Sequence, residues 1–351
     1  MAFDCKIKER CSFGQIGFKE KKTTEAVKNK ILEINHDIRH SEKFVNWQYL
    51  EFGKIRELTK LPQQNEAFRI LCNRNINAAE ILNVFTSIDE ISCSFATINK
   101  TGLDIINKFK VKNLFARIHP VNENEYFAPL FEQLIAEKKY KITGHLKIFL
   151  IKSNEEFYTV ITSANPKTSS QFECYTIYNS EKYYNYCLGA LQIIATAKNK
   201  EKTKIELSKS SFTTINKGGL TMLDIIKKIN STEQIEQIDF VVYSLGIKAI
   251  EELSYLESKI KINFYLSDFV LKMSSQVKPL EAIKKMILKH NGKIKIYNNH
   301  TKITLIKTNQ SYYVIDTTSN FGSNSKYEIT ELRNSEKEYN FTQEFIKKHF
   351  K

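Results

Sequence analysis

Residues 145–182 read HLKIFLIKSNEEFYTVITSANPKTSSQFECYTIYNSEK, and residues 300–337 read HTKITLIKTNQSYYVIDTTSNFGSNSKYEITELRNSEK. The second stretch aligns with the first without a gap, at an offset of 155 residues, and 16 of the 38 aligned positions are identical. Unrelated segments of this length would share roughly two or three identities, so the match indicates an internal duplication. We therefore expect a fold that contains two copies of one unit.

Several of the identities between the two copies are polar. They are the pairs His145/His300, Lys147/Lys302, Asn165/Asn320 and Glu173/Glu328. A repeat that preserves only a fold needs matched apolar positions, and it does not need a histidine, a lysine and an asparagine at fixed spacing. The matched set therefore indicates a chemical role. The alternative is that both histidines are buried strand residues that survived the duplication by chance.

The charge of the chain points to the class of its partner. The 351 residues include 53 Lys and Arg against 39 Asp and Glu, a formal net charge of +14, and 42% are hydrophobic, which is typical of a folded protein. The positive balance favours a polyanionic partner, either nucleic acid or an anionic membrane surface. A codon bias toward lysine and asparagine would raise the charge without functional meaning.

The cysteines and the apolar stretches bear on compartment and metal content. The six cysteines show neither a CxxC pair nor zinc-ligand spacing with histidine, so we expect reduced thiols and no structural metal. No stretch approaches 18 consecutive apolar residues, and the N-terminal residues do not resemble a signal peptide. A cytoplasmic protein without stable membrane association is expected.

The chain is predicted to divide into three regions. They are a basic N-terminal extension or small module at 1–74, a first repeat at 75–197, and a linker with the second repeat at 198–351. In the first region a helix is expected over 23–39, and the polar segment 198–219 is the linker. Strands and helices alternate before each hairpin, an order that implies a largely parallel sheet core. The predicted fold is α/β, with two similar units related by a pseudo-twofold axis and a mixed α/β N-terminal region.

One copy already brings together groups that suit a phosphate. His145 and Lys147 are two apart on a strand, so both side chains leave the same face. The hairpin returns the chain beside them at Ser163 and Asn165. Lysine and asparagine donate hydrogen bonds to oxyanions, and a neutral histidine is a nucleophile near neutral pH. Glu173, on the next strand, is expected to accept the other imidazole N–H and fix the tautomer.

The second copy offers the same set, with a threonine in place of the serine: His300, Lys302, Thr318, Asn320 and Glu328. If the copies face each other, both histidines approach one phosphate, where one attacks phosphorus and the other protonates the leaving oxygen. The lysines and asparagines supply charge and hydrogen bonds. No pair of carboxylates with metal-ligand spacing accompanies the motif, so neither a metal nor another cofactor is expected.

HxK followed by SxN or TxN, present twice in one chain, resembles the phospholipase D superfamily. The resemblance covers about residues 75–351. The family pattern is HxKxxxxD followed by GSxxN or GSxN, whereas this chain has Lys152 and Lys307 at the Asp position and Thr162 and Thr317 at the Gly position. The form without the Asp resembles the tyrosyl-DNA phosphodiesterases and the metal-independent endonucleases of the superfamily.

This resemblance implies two α/β sandwich repeats and a phosphodiesterase that works through a phosphohistidine. It implies that His145 is the nucleophile and His300 the acid and base, although the residues alone do not distinguish the two. The implied substrate is nucleic acid, either DNA or RNA, in agreement with the charge, so the expected activity is that of a nuclease. Two alternatives stay open: a nucleic-acid-binding protein of the same fold without turnover, and a lipid phosphodiesterase.

Overall fold

The computed structural model describes residues 31–35, 38–40, 44, 46–74, 77–117, 124–196, 202–206, 212–217, 221–321 and 326–350. The described strands form two eight-stranded mixed sheets and a separate two-stranded sheet. The α/β class predicted from the sequence is confirmed. None of the described helices is both long enough and apolar enough to cross a membrane.

The first sheet is built from the N-terminal half of the chain. Two short strands, β1 (Ile31–Asn35) and β2 (Ile38–His40), precede it. Its elements are β3 (Asn46–Phe52), β4 (Glu66–Cys72), β5 (Glu90–Phe95), α1 (Lys100–Ile106), β6 (Val111–Arg117), α2 (Asn124–Gln133), β7 (Lys138–Ile142), β8 (Ile148–Ser153), β9 (Glu156–Thr162), β10 (Glu173–Asn179) and α3 (Glu181–Thr196), with 3-10 helices at Ile55–Glu57 and Ala78–Val84. The strand order is β3-β4-β10-β9-β8-β5-β6-β7.

The second sheet is built from the C-terminal half. Its elements follow β11 (Lys202–Glu206): β12 (Phe212–Lys217), α4 (Met222–Asn230), β13 (Ile235–Val242), α5 (Ile247–Glu252), β14 (Lys261–Ser267), α6 (Phe269–Lys272), α7 (Val277–Lys289), β15 (Ile294–Tyr297), β16 (Ile303–Thr308), β17 (Tyr312–Thr317), β18 (Tyr327–Asn334) and α8 (Glu336–His349), with 3-10 helices at Leu253–Tyr255 and Ser274–Gln276. The strand order is β15-β14-β13-β16-β17-β18-β12-β2.

The two sheets share one topology. Each contains a parallel set of three strands, β5-β6-β7 or β13-β14-β15, next to an antiparallel hairpin, β8-β9 or β16-β17. The expectation of a largely parallel core is therefore right only for that set, because the hairpin and the strands beyond it pair antiparallel. At the outer edges the sheets differ, since β3 runs parallel to β4 and β2 runs antiparallel to β12.

Reciprocal contacts relate the two copies by a pseudo-twofold axis. Gly144 pairs with Tyr327 in an isolated parallel bridge, and Phe172 pairs with Asn299 in another. A shift of 155 residues converts one bridge into the other, so the same two positions meet across the axis twice. Helix α3 packs in a cluster that includes Ile215 and Ile329 of the second copy. Helix α8 packs in a cluster that includes Leu71 and Phe172 of the first.

Three local predictions need correction. The helix expected over 23–39 is wrong in its described part, because β1 and β2 occupy it; its earlier residues lie outside the described range. The segment 198–219 carries strands β11 and β12, and β12 belongs to the second sheet. Strand β4 belongs to the first sheet although it precedes residue 75. The three domain boundaries themselves stay predictions.

Candidate active site between the two copies

The hairpins place both histidines and both lysines at the contact between the copies. His145 and Lys147 lie just before β8, at the open end of the β8-β9 hairpin, and His300 and Lys302 hold the same place before β16. The His145 backbone N–H donates to the Tyr327 carbonyl at 2.9 Å, and the His300 N–H donates to the Phe172 carbonyl at 3.0 Å. Each histidine is therefore fixed to the opposite copy by its own backbone.

Each glutamate of the predicted set faces the histidine of the opposite copy. Nδ1 of His300 lies 3.0 Å from the carboxylate of Glu173, and Nδ1 of His145 lies 3.7 Å from that of Glu328. The expectation that Glu173 orients the imidazole of its own copy is wrong. Glu173 follows Phe172, which pairs with the residue before His300, so the backbone delivers this carboxylate across the axis.

The hydroxyls of Ser163 and Thr318 hold these carboxylates. Ser163 Oγ donates to Glu173 and Thr318 Oγ1 to Glu328, both at 2.5 Å. Each hydroxyl also accepts a backbone N–H from the neighbouring strand, at 2.9 Å and 3.0 Å. Burial acts to raise the pKa of Glu328, but the nearby His145, the charge of Lys147 and the Thr318 hydroxyl outweigh it, and the pKa is lowered. The hydroxyls thus position the two carboxylates against the histidines.

Hydrogen bonding assigns one tautomer to both histidines. Nδ1 of His145 lies 3.1 Å from the Thr318 carbonyl, which can only accept, and Nδ1 of His300 faces a carboxylate. Both Nδ1 atoms are therefore assigned the proton, and both Nε2 atoms a lone pair. The Lys147 ammonium lies 3.2 Å from Nδ1 and 3.4 Å from Nε2 of His145, and in this tautomer it can donate only to Nε2. Burial and then the adjacent Lys147 lower the pKa of His145 to about 4, and burial also lowers the pKa of His300. Both imidazoles are neutral at neutral pH without substrate.

Two buried lysines lie beside the histidines. Lys147 and Lys302 are 1% and 2% exposed, and each Nζ donates to the carbonyl of the histidine two residues before it, at 3.0 Å and 2.7 Å. Burial lowers the pKa of Lys147 to about 7, with Lys302 repelling it, and burial lowers the pKa of Lys302 to about 8. An anion bound near both ammonium groups would offset their desolvation and mutual repulsion.

The two predicted asparagines differ in their surroundings. The Asn165 side-chain oxygen accepts the backbone N–H groups of Ala96 at 3.1 Å and Thr97 at 3.2 Å, which directs its amide NH₂ away from that loop. Asn320 is exposed, and no hydrogen bond joins its side chain to the other proposed site residues in the described part of the chain. Phosphate binding by either asparagine stays a prediction.

The family's aspartate position lies far from the histidines. Lys152 is near the closed end of the β8-β9 hairpin, about 16 Å along the strand from Lys147 at roughly 3.3 Å per residue. Its ammonium lies 5.4 Å from the centre of the Phe157 ring. The counterpart, Lys307, pairs with exposed Glu236 at 2.8 Å. Both lysines make only local contacts in the described structure. The replacement of the family's aspartate by lysine therefore does not alter the residues around the histidines.

Tyr243 contacts the site although the sequence did not single it out. Its ring centre lies 4.8 Å from that of His300, edge to face, and the Lys302 ammonium lies 5.2 Å from the Tyr243 ring centre. The strand pairings equate Ser94 with Val241, and therefore Ala96 with Tyr243. An alignment of the first strands of the two copies, at an offset of 147, carries this signal. It shows a small residue in one copy and an aromatic one in the other.

Neither a metal site among the described residues nor a match to a known family accompanies this geometry. Among the described residues, no group of three or more His, Cys, Asp or Glu is arranged to hold a metal ion. No family model matches the sequence, and no curated protein matches it either.

Some solved structures resemble the chain at a low level. Polyphosphate kinase from Porphyromonas gingivalis matches with a TM-score of 0.49 and 10% identity, over 75% of this chain and 46% of that one. Two structures of yeast tyrosyl-DNA phosphodiesterase, one of them a mutant, match with TM-scores of 0.43 and 0.40 and with 11% and 12% identity; each match covers 72% of this chain and 86% of that one. All three scores are below 0.5, too low for a likeness to indicate an activity or a substrate.

Proposed function

We propose that the chain is a metal-independent phosphodiesterase that hydrolyses nucleic acid at one site shared by its two copies. The observation that carries the proposal is the reciprocal pairing of Glu173 with His300 and of Glu328 with His145. This pairing engages both imidazole Nδ1 atoms and leaves one Nε2 lone pair from each copy beside two buried ammonium groups, with the Lys147 ammonium 3.4 Å from the Nε2 of His145. Nucleophilic and acid–base catalysis of phosphoryl transfer needs such a set.

In the first proposed step the Nε2 lone pair of His145 attacks phosphorus. A P–N bond forms, the P–O bond to the leaving group breaks, and the leaving oxygen takes the proton of His300 Nε2. Lys147 and Lys302 stabilise the charge on the non-bridging oxygens. In the second step His300 Nε2 takes a proton from water, the water oxygen attacks phosphorus, and the P–N electron pair returns to His145.

The different contacts of the two histidines support this division of roles. His300 faces a carboxylate at 3.0 Å, which stabilises a protonated imidazole and suits an acid. His145 has its carboxylate at 3.7 Å and a carbonyl at 3.1 Å, a weaker environment for positive charge that suits a neutral nucleophile. A bound phosphodiester carries a negative charge, which favours the uptake of a proton by His300.

Charge favours nucleic acid over other phosphodiesters. The chain has a formal net charge of +14. A polyanion binds such a surface with a larger electrostatic free energy than a single phosphate does. We infer that the substrate is DNA or RNA. A nuclease of this kind needs no partner chain, because both half-sites belong to one polypeptide.

A substrate panel tests the proposal. The protein is incubated in excess EDTA with labelled single-stranded DNA, double-stranded DNA, RNA and phosphatidylcholine vesicles, beside His145→Ala and His300→Ala. We expect cleavage of at least one nucleic acid in EDTA and loss of that cleavage in both variants. Nucleic-acid binding without cleavage of any substrate would indicate a binding protein, and turnover of the vesicles alone would indicate a lipid phosphodiesterase. A strict requirement for a divalent metal would contradict the mechanism.

A further inference from the structure

The two halves of the proposed site differ in the side chains that surround the matched residues. After the first strand of each copy, Ala96 on the His145 side corresponds to Tyr243 on the His300 side. After the second strand, Arg117 ends β6, whereas Ser267 ends β14 at the equivalent place. Arg117 is close enough to Lys147 to contribute to its lowered pKa. Beyond the two matched lysines, one side of the site therefore adds a cation and the other adds an aromatic ring.

The aromatic side is a stacked pair next to His300. The rings of Tyr243 and Phe269 lie 4.6 Å apart at an interplanar angle of 18°. Both side chains are partly exposed, and Phe269 opens the short helix α6 directly after β14. Tyr243 also contacts the His300 ring on its edge. A planar group that enters from solvent can extend this stack within reach of the acid.

We propose that Tyr243 and Phe269 form a stacking subsite for the nucleobase of the nucleotide that leaves from the His300 side. The inference rests on the proposed function and deepens it, because it assigns an orientation to the substrate. In an in-line displacement the leaving oxygen lies opposite the nucleophile and next to the acid. The leaving nucleotide therefore lies beside the aromatic pair, and the nucleotide retained on His145 lies on the side of Arg117.

A nucleobase fits this subsite better than other planar or apolar groups do. Aromatic side chains that adjoin cationic groups are the usual means of binding single-stranded nucleic acid, because rings stack on bases while cations contact phosphates. Here Lys302 and Phe269 contact the same tyrosine ring and provide both elements. The exposed side chains of Leu271 and Met273 lie on the same segment, so a lipid tail is the competing ligand that the experiment must include.

The test compares intact and abasic oligonucleotides. Phe269→Ala is the principal variant, because Tyr243 lies between its ring and His300. Tyr243→Leu is the second variant, and Tyr255→Ala, which removes an exposed aromatic ring elsewhere on the second copy, is the matched control. An abasic nucleotide is placed in turn on each side of the cleaved phosphate, and kcat/KM is measured for every pair of protein and substrate.

We expect Phe269→Ala to lower kcat/KM on the intact oligonucleotide by between about 5-fold and 100-fold, in keeping with the contribution of one stacked base. The loss should disappear when the abasic nucleotide is the one released with the leaving oxygen, and it should persist when it is the one retained on His145. Tyr255→Ala should leave kcat/KM unchanged.

Three results would overturn the inference while leaving the phosphodiesterase intact. They are an equal loss on all substrates, no loss on any, and a loss that disappears only when the abasic nucleotide is the one retained on His145. A wild-type protein that cleaves vesicles of phosphatidylcholine and no nucleic acid would overturn both the inference and the proposed function.

Discussion

The carboxylate of Glu173 in the first copy lies 3.0 Å from Nδ1 of His300 in the second copy. The equivalent pair, with the two copies exchanged, is Glu328 and His145, whose carboxylate and Nδ1 are 3.7 Å apart. Neither copy therefore contains a complete histidine–carboxylate pair of its own. A site built in this way exists only when the two halves are folded together, and its two histidines have unequal partners.

This inequality predicts unequal effects of removing the carboxylates. Glu173→Gln should lower kcat on an unactivated phosphodiester by about 10²-fold, because the protonated state of His300 loses its charged partner. Glu328→Gln should cost less, since the Thr318 carbonyl still holds Nδ1 of His145. Steady-state kinetics of both variants check the ranking, and a larger loss for Glu328→Gln would reverse the proposed roles of the histidines.

The lowered pKa values predict an acidic range of activity. His145 must be neutral, a form that prevails above its pKa of about 4, and Lys147 must be charged, a form that prevails below its pKa of about 7. His300 must carry a proton, a form that prevails below its own lowered pKa. The profile of kcat/KM against pH, which reports the free enzyme, should therefore rise near pH 4 and fall at higher pH as His300 and then Lys147 lose their protons. Lys147→Arg, if active, should keep an alkaline limb that is set by His300, because a guanidinium stays charged. A profile that is still rising at the alkaline end would contradict this assignment.

The buried lysines should destabilise the fold at neutral pH. The pKa of Lys147 is lowered from 10.5 to about 7, so between these values the unfolded chain binds more protons than the folded chain does. Wild-type stability should accordingly rise with pH through that window. Lys147→Met should raise the free energy of unfolding by about 1–3 kcal/mol near pH 6, and the gain should shrink toward pH 10.

Urea denaturation at both pH values measures this gain. Lys307→Met is the matched control, because the Lys307 side chain is 40% exposed and pairs with the surface carboxylate of Glu236 in the described structure. Its effect should stay within about 0.5 kcal/mol at either pH. Destabilisation by Lys147→Met near pH 6 would show that the Lys147 charge contributes to folding and would contradict the account.

Gly102 should be required for the conformation of the Asn165 loop. A Cβ atom at Gly102 would lie 2.1 Å from the carbonyl oxygen of Pro166, the residue after Asn165. Gly102→Ala must therefore displace either α1 or this loop, and we expect about 1–3 kcal/mol of lost stability together with reduced kcat/KM. In α3, where a Cβ at Gly189 meets nothing within 4 Å, Gly189→Ala should be stabilising by about 0.5–1 kcal/mol. Equal effects of the two substitutions would refute this argument.

The duplicated stretch made much of the central structure predictable. The hairpins at Ile148–Ser153 and Glu156–Thr162, and at their second-copy counterparts, follow from short apolar runs separated by turn residues. Because His145 and Lys147 lie two apart, their shared position at one end of the hairpin also follows from the sequence. The polar identities also indicate that the functional residues lie at this end of both hairpins.

Non-local contacts account for what the sequence did not reveal. The partner of Glu173 depends on the pairing of Phe172 with Asn299, residues that are far apart in sequence. The short strands β7 and β15 alternate lysine with apolar residues over only five and four positions, too few for a clear period. Strand β12 lies in a polar segment that reads as a linker, although its threonines favour a strand.

The most direct test of the shared site separates its two steps. A nucleotide p-nitrophenyl ester has a leaving group that needs no protonation, so His300→Ala should still form the P–N bond on His145. Hydrolysis of that bond should then stall for lack of a base. We predict a burst of one nitrophenolate per protein chain, with the nucleotide bound covalently to His145, and no burst in His145→Ala. A burst that survives in His145→Ala, or a nucleotide bound to another residue, would contradict the central claim.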